Sequence, residues 1–159
     1  MEASRPARAA DVEAVVDLAG AAVAELLRER GGPLWARREA RDTLTPKSLA
    51  VLVAADDVHV VVGTIDDTVV GFAILEFEAL RDGSLLGRLR EIYVDPAARG
   101  VGVGEAMIRD VVVACAERGC AGIDALALPG QRATKNFFEA SGFTARSLVM
   151  HRSLDGTAS

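Results

Sequence analysis

Three glycines alternate in the run Arg99-Gly100-Val101-Gly102-Val103-Gly104. Glycine at such spacing gives the backbone unusual dihedrals and removes Cβ atoms that would keep a ligand at a distance. A strand-like segment, Leu89–Val94, precedes the run and closes on Asp95-Pro96, and a helix-like segment, Glu105–Arg118, follows it. A helix that starts there points its unsatisfied N–H groups and positive dipole end into the space beside the glycines. The chemistry this serves is the binding of a phosphate or pyrophosphate.

Which pyrophosphate can be narrowed from the neighbouring residues. A P-loop requires Lys and Ser or Thr after its last glycine, and Glu105 follows Gly104 here. A dinucleotide fingerprint requires a further glycine or alanine three residues after its second, where Glu105 and Met107 stand in the two registers. The run does match Arg/Gln-x-x-Gly-x-Gly/Ala. With Leu89-Arg90-Glu91-Ile92-Tyr93-Val94-Asp95-Pro96 before it, the segment resembles the acyl-CoA signature of the GCN5-related N-acetyltransferase (GNAT) superfamily. The resemblance covers nearly the whole chain, including the opening Arg5-Pro6-Ala7 with Asp11, and is most specific over Leu89–Phe143.

That resemblance implies acetyl-CoA as acyl donor, no metal, and an amine acceptor on a small molecule or peptide. Ile92, Tyr93 and Val94 would pair with the pantetheine arm through their backbone. The amides of Gly100, Val101, Gly102, Val103, Gly104 and Glu105 would cradle the pyrophosphate, with Arg99 shaping the loop or touching phosphate. Trp35 lies in the segment that lids the acceptor in the family, and an anchor for that lid is an equal reading. The family often has an acid at the position of Glu91. Two departures concern the last helix. The family's tyrosine, four residues before the Gly142-Phe143 pair, is Phe138 here, and the asparagine that often starts that helix is Gln131. Both would still line the acyl-CoA slot, with core packing as the alternative for Phe138.

Acetyl transfer to an amine requires loss of an ammonium proton, a donor to the developing oxyanion, and departure of the CoA thiolate. Glu91, mid-strand among apolar residues, is the candidate general base, directly or through water; a solvated strand glutamate is the alternative. A strand N–H such as that of Val94 is available to the oxyanion. Tyr93, the single tyrosine, is the candidate acid in place of Phe138, with covering the sheet as the alternative, and shares a face with Glu91 unless a bulge intervenes. Without an acid the thiolate still leaves, at a penalty of about 2 kcal/mol at pH 7. Glu76 and Glu78 share one strand face and are candidates for binding an ammonium or for an alternative base. The expected route is direct attack in a ternary complex, since neither Cys115 nor Cys120 is placed as a nucleophile. Phe138 and Gln131 keep open a noncatalytic acyl-CoA-binding module, a sensor or partner subunit.

The elements that must position these residues follow from periodicity. A first strand at Arg5–Ala7 leads, with Asp11 as N-cap, into a helix Val12–Arg30 whose face includes Val12, Val15, Val16, Ala19, Val23, Leu26 and Leu27, stopped at Gly31-Gly32-Pro33. Short helical stretches follow at Trp35–Arg41 and Thr45–Ala55. A β-meander runs through Val58–Ile65, a turn at Asp66-Asp67, Val69–Glu78, a turn at Arg81–Gly83, and Leu85–Val94. The helix after the glycines buries Val103, Met107, Ile108, Val111, Val112 and Cys115 and ends at Gly119. A strand Ile123–Leu128, parallel to the third of the meander, a helix Arg132–Ser141 stopped by Gly142, and a final strand Phe143–Leu154 complete the order. The expected fold is α/β: a central, mostly antiparallel mixed sheet with one parallel strand pair and helices on both faces, as in the acyl-CoA N-acyltransferases. It is expected as one domain over residues 1–154, with a loose tail at Asp155–Ser159.

Composition bounds the rest. At 159 residues a domain buries roughly 70% of its unfolded surface, and half the residues are hydrophobic. The net charge of −5 argues against nucleic acid as partner. No apolar run approaches the roughly 20 residues of a membrane span, and no signal pattern opens the chain, so a cytoplasmic protein is expected; abundant alanine and arginine with rare lysine suggest a GC-rich bacterial genome. Two cysteines are too few for a disulfide framework, and buried thiols are expected. A homodimer is compatible with all of this.

Overall fold

In the computed structural model, which describes residues 1–156, the chain forms two compact units, residues 1–20 with 43–126 and residues 21–42 with 127–156. The first unit holds a five-stranded sheet in sequential order, β1 (Glu2–Pro6), β2 (Val58–Ile65), β3 (Thr68–Ala79), β4 (Leu85–Val94) and β5 (Cys120–Ala125). The first three pairings are antiparallel and β4–β5 is parallel, as expected. β2 and β3 are joined by Asp66 and Asp67 at φ 45° and 66°. Ile65 pairs with Thr68, so the two aspartates form a two-residue hairpin turn whose twist matches that of the strands. The same unit contains the first part of α1 (Val12–Leu27), then α3 (Pro46–Ala54) and α4 (Val103–Glu117). Thr45 caps α3 by accepting from Ser48 N at 3.1 Å, with Pro46 in the first turn.

α4 lies close against one face of the sheet because glycines make room for it. Gly63 on β2 and Gly71 on β3 are cross-strand partners. A Cβ at Gly63 would stand 2.5 Å from Val103 Cγ1, and one at Gly71 would stand 2.8 Å from the Tyr93 carbonyl oxygen and 3.1 Å from Met107 Cε. A Cβ at Gly87 would likewise meet Cys115 Sγ at 2.5 Å. Val103, Met107 and Val111 are essentially inaccessible in consequence. At the far end of α4 the Arg118 guanidinium stacks 4.2 Å from the Phe77 ring centroid and donates to the Asp56 carbonyl. Strand alternation then places Gly71, Ala73, Leu75 and Phe77 on the α4 face and Phe72, Ile74, Glu76 and Glu78 on the other. Phe72 and Ile74 are fully buried, so both faces are covered. Burial pushes the Cys115 thiol up to about 12, with the neighbouring Cys120 adding to the shift; Cys120 is only half-buried.

In the second unit, α1 ends at Leu27, and Gly31, at φ 83°, caps α2 (Gly32–Arg38). Gly32 packs so tightly on α1 that a Cβ would stand 2.1 Å from the Leu26 carbonyl oxygen. A Cβ at Gly130 would stand 2.3 Å from Glu29 Oε2. α5 (Arg132–Ala140) follows, and Phe138 is buried between the rings of Phe137 and Phe143, at centroid distances of 5.6 and 5.3 Å.

Several boundaries differ from expectation. The first strand is Glu2–Pro6 because pairing with Val61–Ile65, not local propensity, defines it. α1 stops three residues before Arg30, where the chain turns into the glycines. Asp11 does not cap α1; it lies in a 3₁₀ turn, where its carboxylate accepts from Arg8 N at 2.7 Å and from Arg5 at 2.7 and 2.9 Å. Val23, Leu27 and Val112 are more than a third exposed. β5 starts at Cys120, directly after Gly119, and ends at Ala125, not Leu128. Residues 143–154 form no strand, and Leu148, Val149, Met150 and Leu154 are 85, 85, 88 and 91% exposed. Alternation supplies strand propensity there, but a strand exists only where an edge pairs with it. Of the expected tail, residues 157–159 lie outside the described residues, while Asp155 accepts from Ser153 Oγ at 2.8 Å.

Gly63→Ala is expected to lower the unfolding free energy in urea by about 1–3 kcal/mol, whereas Gly20→Ala, with nothing within 4 Å of the new Cβ, should raise it. The Arg5 ion pair holds the Asp11 carboxyl below its ordinary value of 3.8. A depressed carboxyl stabilises the fold above that value and loses the effect as pH falls through the folded value. The stability difference between wild type and Asp11→Asn should therefore be full at pH 6 and shrink below pH 3.8.

Candidate active site

The site begins where the two edges of β4 stop matching. The β4–β5 ladder runs from Leu85/Cys120 to Leu89/Ala125 and ends, whereas β4 continues to Val94 against β3. At the same point β4 carries a bulge: Leu89 faces Leu75 and Glu91 faces Ile74, leaving Arg90 as the extra residue. The consequence is a change of face. Leu89 faces α4 with Leu75, but Glu91 and Tyr93, opposite Ile74 and Phe72, are on the other face with Glu76. Since the bulge precedes Glu91, alternation between Glu91 and Tyr93 holds, and the two share a face as the sequence suggests.

Beyond Val94 the chain turns sharply. Asp95 N donates to Val70 O at 2.8 Å, and the Asp95 carboxylate accepts from Ala97 N at 2.8 Å. These contacts fix a short 3₁₀ turn over Pro96–Ala98. Arg99 Nε donates to Val94 O at 2.9 Å and its guanidinium stands 5.2 Å from the Tyr93 ring centroid. Arg99 thus folds back along the end of β4 and braces the loop. Gly100 and Gly102 have φ of 81° and 97°, which L-residues rarely adopt, and Gly102 is the N-cap of α4. Gly104 instead lies inside α4, which begins at Val103. The first intrahelical bond is Ala106 N to Gly102 O at 3.0 Å. Helix geometry therefore leaves the amides of Val103, Gly104 and Glu105 pointing out of the N-terminus without an intrahelical acceptor. Nothing lies within 4 Å of a Cβ at Gly100, so the loop surface is open there. Donors of this kind fit an anionic diphosphate, and the end of β4 past the ladder fits an extended amide-bearing arm, two of the groups that coenzyme A carries.

Glu76 and Glu78 do share a face, but each has a basic partner on β4. Arg90 Nη1 is 3.1 Å from Glu76 Oε2, both side chains about a quarter exposed at 26% and 25%, and Arg88 Nε is 3.6 Å from Glu78 Oε2. Sequence reading did not single out Arg90, because the register slip that brings it to Glu76 has no signature in residue type. Trp35 on α2, Gln131 and Phe138 belong to the second unit. Trp35 is half-buried. Gln131 Oε1 accepts from Leu128 N at 2.9 Å, closing the Pro129-Gly130 turn before α5, and Phe138 sits in its aromatic cluster. Among the described residues no group of three or more His, Cys, Asp or Glu is placed to hold a metal ion. No helix there is long and apolar enough to cross a membrane.

A family model described as the acetyltransferase (GNAT) domain matches residues 48–145. No curated protein matches the sequence. Among solved structures, an acetyltransferase from Trypanosoma brucei is 22% identical, with 97% of this chain and 100% of that chain covered and a TM-score of 0.68. Glucosamine-6-phosphate N-acetyltransferase from Arabidopsis thaliana is 16% identical, with 98% and 99% covered and a TM-score of 0.70. An aminoglycoside acetyltransferase from an uncultured soil metagenomic sample is 17% identical, with 96% and 94% covered and a TM-score of 0.69.

Gly100→Ala and Gly102→Ala force an L-residue into the left-handed region, and each should lower stability in urea by about 1–2 kcal/mol. Equal stability for both variants and wild type would mean that the loop does not hold these dihedrals in solution.

Proposed function

Because the chain belongs to the GNAT acetyltransferase family, we propose that it moves the acetyl group of acetyl-CoA to a primary amine by direct attack in a ternary complex, within one domain over residues 1–154. The observation that carries this reading is the coincidence, at one end of β4, of a parted parallel ladder and a helix N-terminus entered through two left-handed glycines. The amides of residues 100–105 hold the pyrophosphate, and the backbone of Ile92, Tyr93 and Val94 takes the pantetheine arm. Arg99 keeps the loop folded back on Tyr93.

In the reaction the amine nitrogen bonds to the thioester carbonyl carbon, the C–S bond breaks, and the amine proton leaves. Glu91 takes that proton, directly or through a water. The N–H of Val94 donates to the carbonyl oxygen as negative charge develops on it. Tyr93, on the same face as Glu91, is the proton donor to the departing thiolate. Phe138 has no proton to donate. A thiolate leaving unprotonated carries only about 2 kcal/mol of penalty at pH 7, so turnover is slowed and not abolished. The acceptor is a small molecule or peptide with a free amine; the aminoglycoside and glucosamine-6-phosphate enzymes of similar fold make amino sugars the first class to try. Glu76 and Glu78 bind an ammonium only by sharing their carboxylates with Arg90 and Arg88.

Acetyl-CoA and CoA, but not ATP, should raise the unfolding temperature, with about 2.7 kcal/mol added at 100 times Kd. With amino sugars, aminoglycosides, polyamines and lysine peptides as acceptors, Glu91→Gln should lower kcat by about 10²–10⁴-fold while leaving acetyl-CoA affinity intact. Tight acetyl-CoA binding with no turnover on any amine would make the protein a binding module, the reading that Phe138 and Gln131 keep open.

A further inference from the structure

The bulge in β4 brings two carboxylates and one guanidinium to the same patch of sheet. Glu91 lies opposite Ile74, and Glu76 is two residues further along the same face of β3. The two glutamates are thus diagonal neighbours, about 7–8 Å apart at Cα and within reach of each other as long side chains. Both are half-buried, where a second carboxylate is screened less than at the surface. Arg90, the residue the bulge adds, stands between them in sequence and register and reaches Glu76 at 3.1 Å.

We propose that Arg90 is a positioning residue for Glu91: by pairing with Glu76 it removes a like charge from beside the base, and the bulge exists on this face with that pair in place. The inference rests on Glu91 being the base, and it adds what keeps that base ionised. Without Arg90, Glu76 and Glu91 would be like charges on one face, and each would disfavour the ionised form of the other. Other charged or titratable groups of this face are Glu78 with Arg88, Asp124 of β5 in register with Arg88, Arg5 of β1 with Asp11, Tyr93, and Arg99 over the Tyr93 ring. Within the same unit the charged residues of α1, Glu13 and Asp17, and of α3, Lys47, are exposed. Of these groups, Arg90 is adjacent to Glu91 in the chain and pairs with Glu76, the carboxylate diagonal to it.

The test reads the proton on Glu91 without any acceptor. Protein carrying glutamate labelled with ¹³C at the side-chain carboxyl is titrated by NMR, and the Glu91 signal is identified by its loss in Glu91→Gln. In Arg90→Met the Glu91 midpoint should rise by about half to one pH unit. In Arg90→Met/Glu76→Gln it should return to within about 0.2 unit of wild type, since the like charge has gone too. Arg90→Lys, which keeps the charge and spares the fold if Arg90→Met does not, should stay near wild type. An unchanged midpoint in Arg90→Met overturns the proposal. So does a rise that persists in the double variant, because the effect would then come from a distorted strand. Failure of the base reading is told apart by turnover. If Glu91→Gln acetylates amino sugars normally while the midpoints shift as stated, Glu91 is not the base and Arg90 has no catalytic consequence; if Glu91→Gln is inactive and the midpoints do not shift, only the role of Arg90 fails.

Discussion

The closeness of α4 to the sheet is the constraint on which the rest depends. A helix normally rides on side chains, and here its first two turns rest on a hollow made by Gly63 and Gly71. Val103 and Met107 fill that hollow completely. Because Val103 is also the first residue of α4, the seat fixes where the helix begins. The direction of its exposed amides is therefore set by packing beneath them. The glycines that look made for a ligand, Gly100 and Gly102, do a different job: they bend the chain into that seat through their φ angles.

A second dependence runs along β4. Up to Leu89 the strand is held on both edges, and beyond it on one. The bulge and the end of the ladder fall at the same residue, so the strand changes face where it loses its parallel neighbour. One local irregularity thus opens the sheet toward a ligand and delivers Glu91 and Tyr93 to the opposite face from α4. The Arg99 side chain then ties the loop to the end of this strand through Val94 and Tyr93. Strand end, loop and helix start form a connected path of short contacts.

Much of this was legible from residue types. The meander, its Asp66-Asp67 turn, the parallel crossover and the glycine loop all have signals of composition and period that act locally. What was hidden depends on partners. Pairing with β2 moved the first strand to Glu2–Pro6, and the direct entry after Gly119 drew β5 back to Cys120. Phe143–Leu154 has strand propensity without a paired edge. Asp11 has the residue type of a helix cap, yet the nearby Arg5 guanidinium claimed its carboxylate. For the site, Glu91 and Tyr93 were readable as chemistry, but the partners of Glu76 and Glu78 were not. They follow from a one-residue slip that no side-chain pattern announces.

That slip gives the strand a frame. Before Arg90 the odd-numbered residues Gly87 and Leu89 face the helix, and after it the odd-numbered Glu91 and Tyr93 face away. Were the same residues paired with β3 in an unbroken ladder from Leu89 onward, Arg90 would stand opposite Ile74 and Glu91 opposite Ala73, on the apolar α4 face. The bulge takes up that odd step, and deleting Arg90 would leave Glu91 still opposite Ile74. The strand thus carries one residue as a spacer: what keeps the acid out of the hydrocarbon layer is the count of paired residues, and not the count of residues.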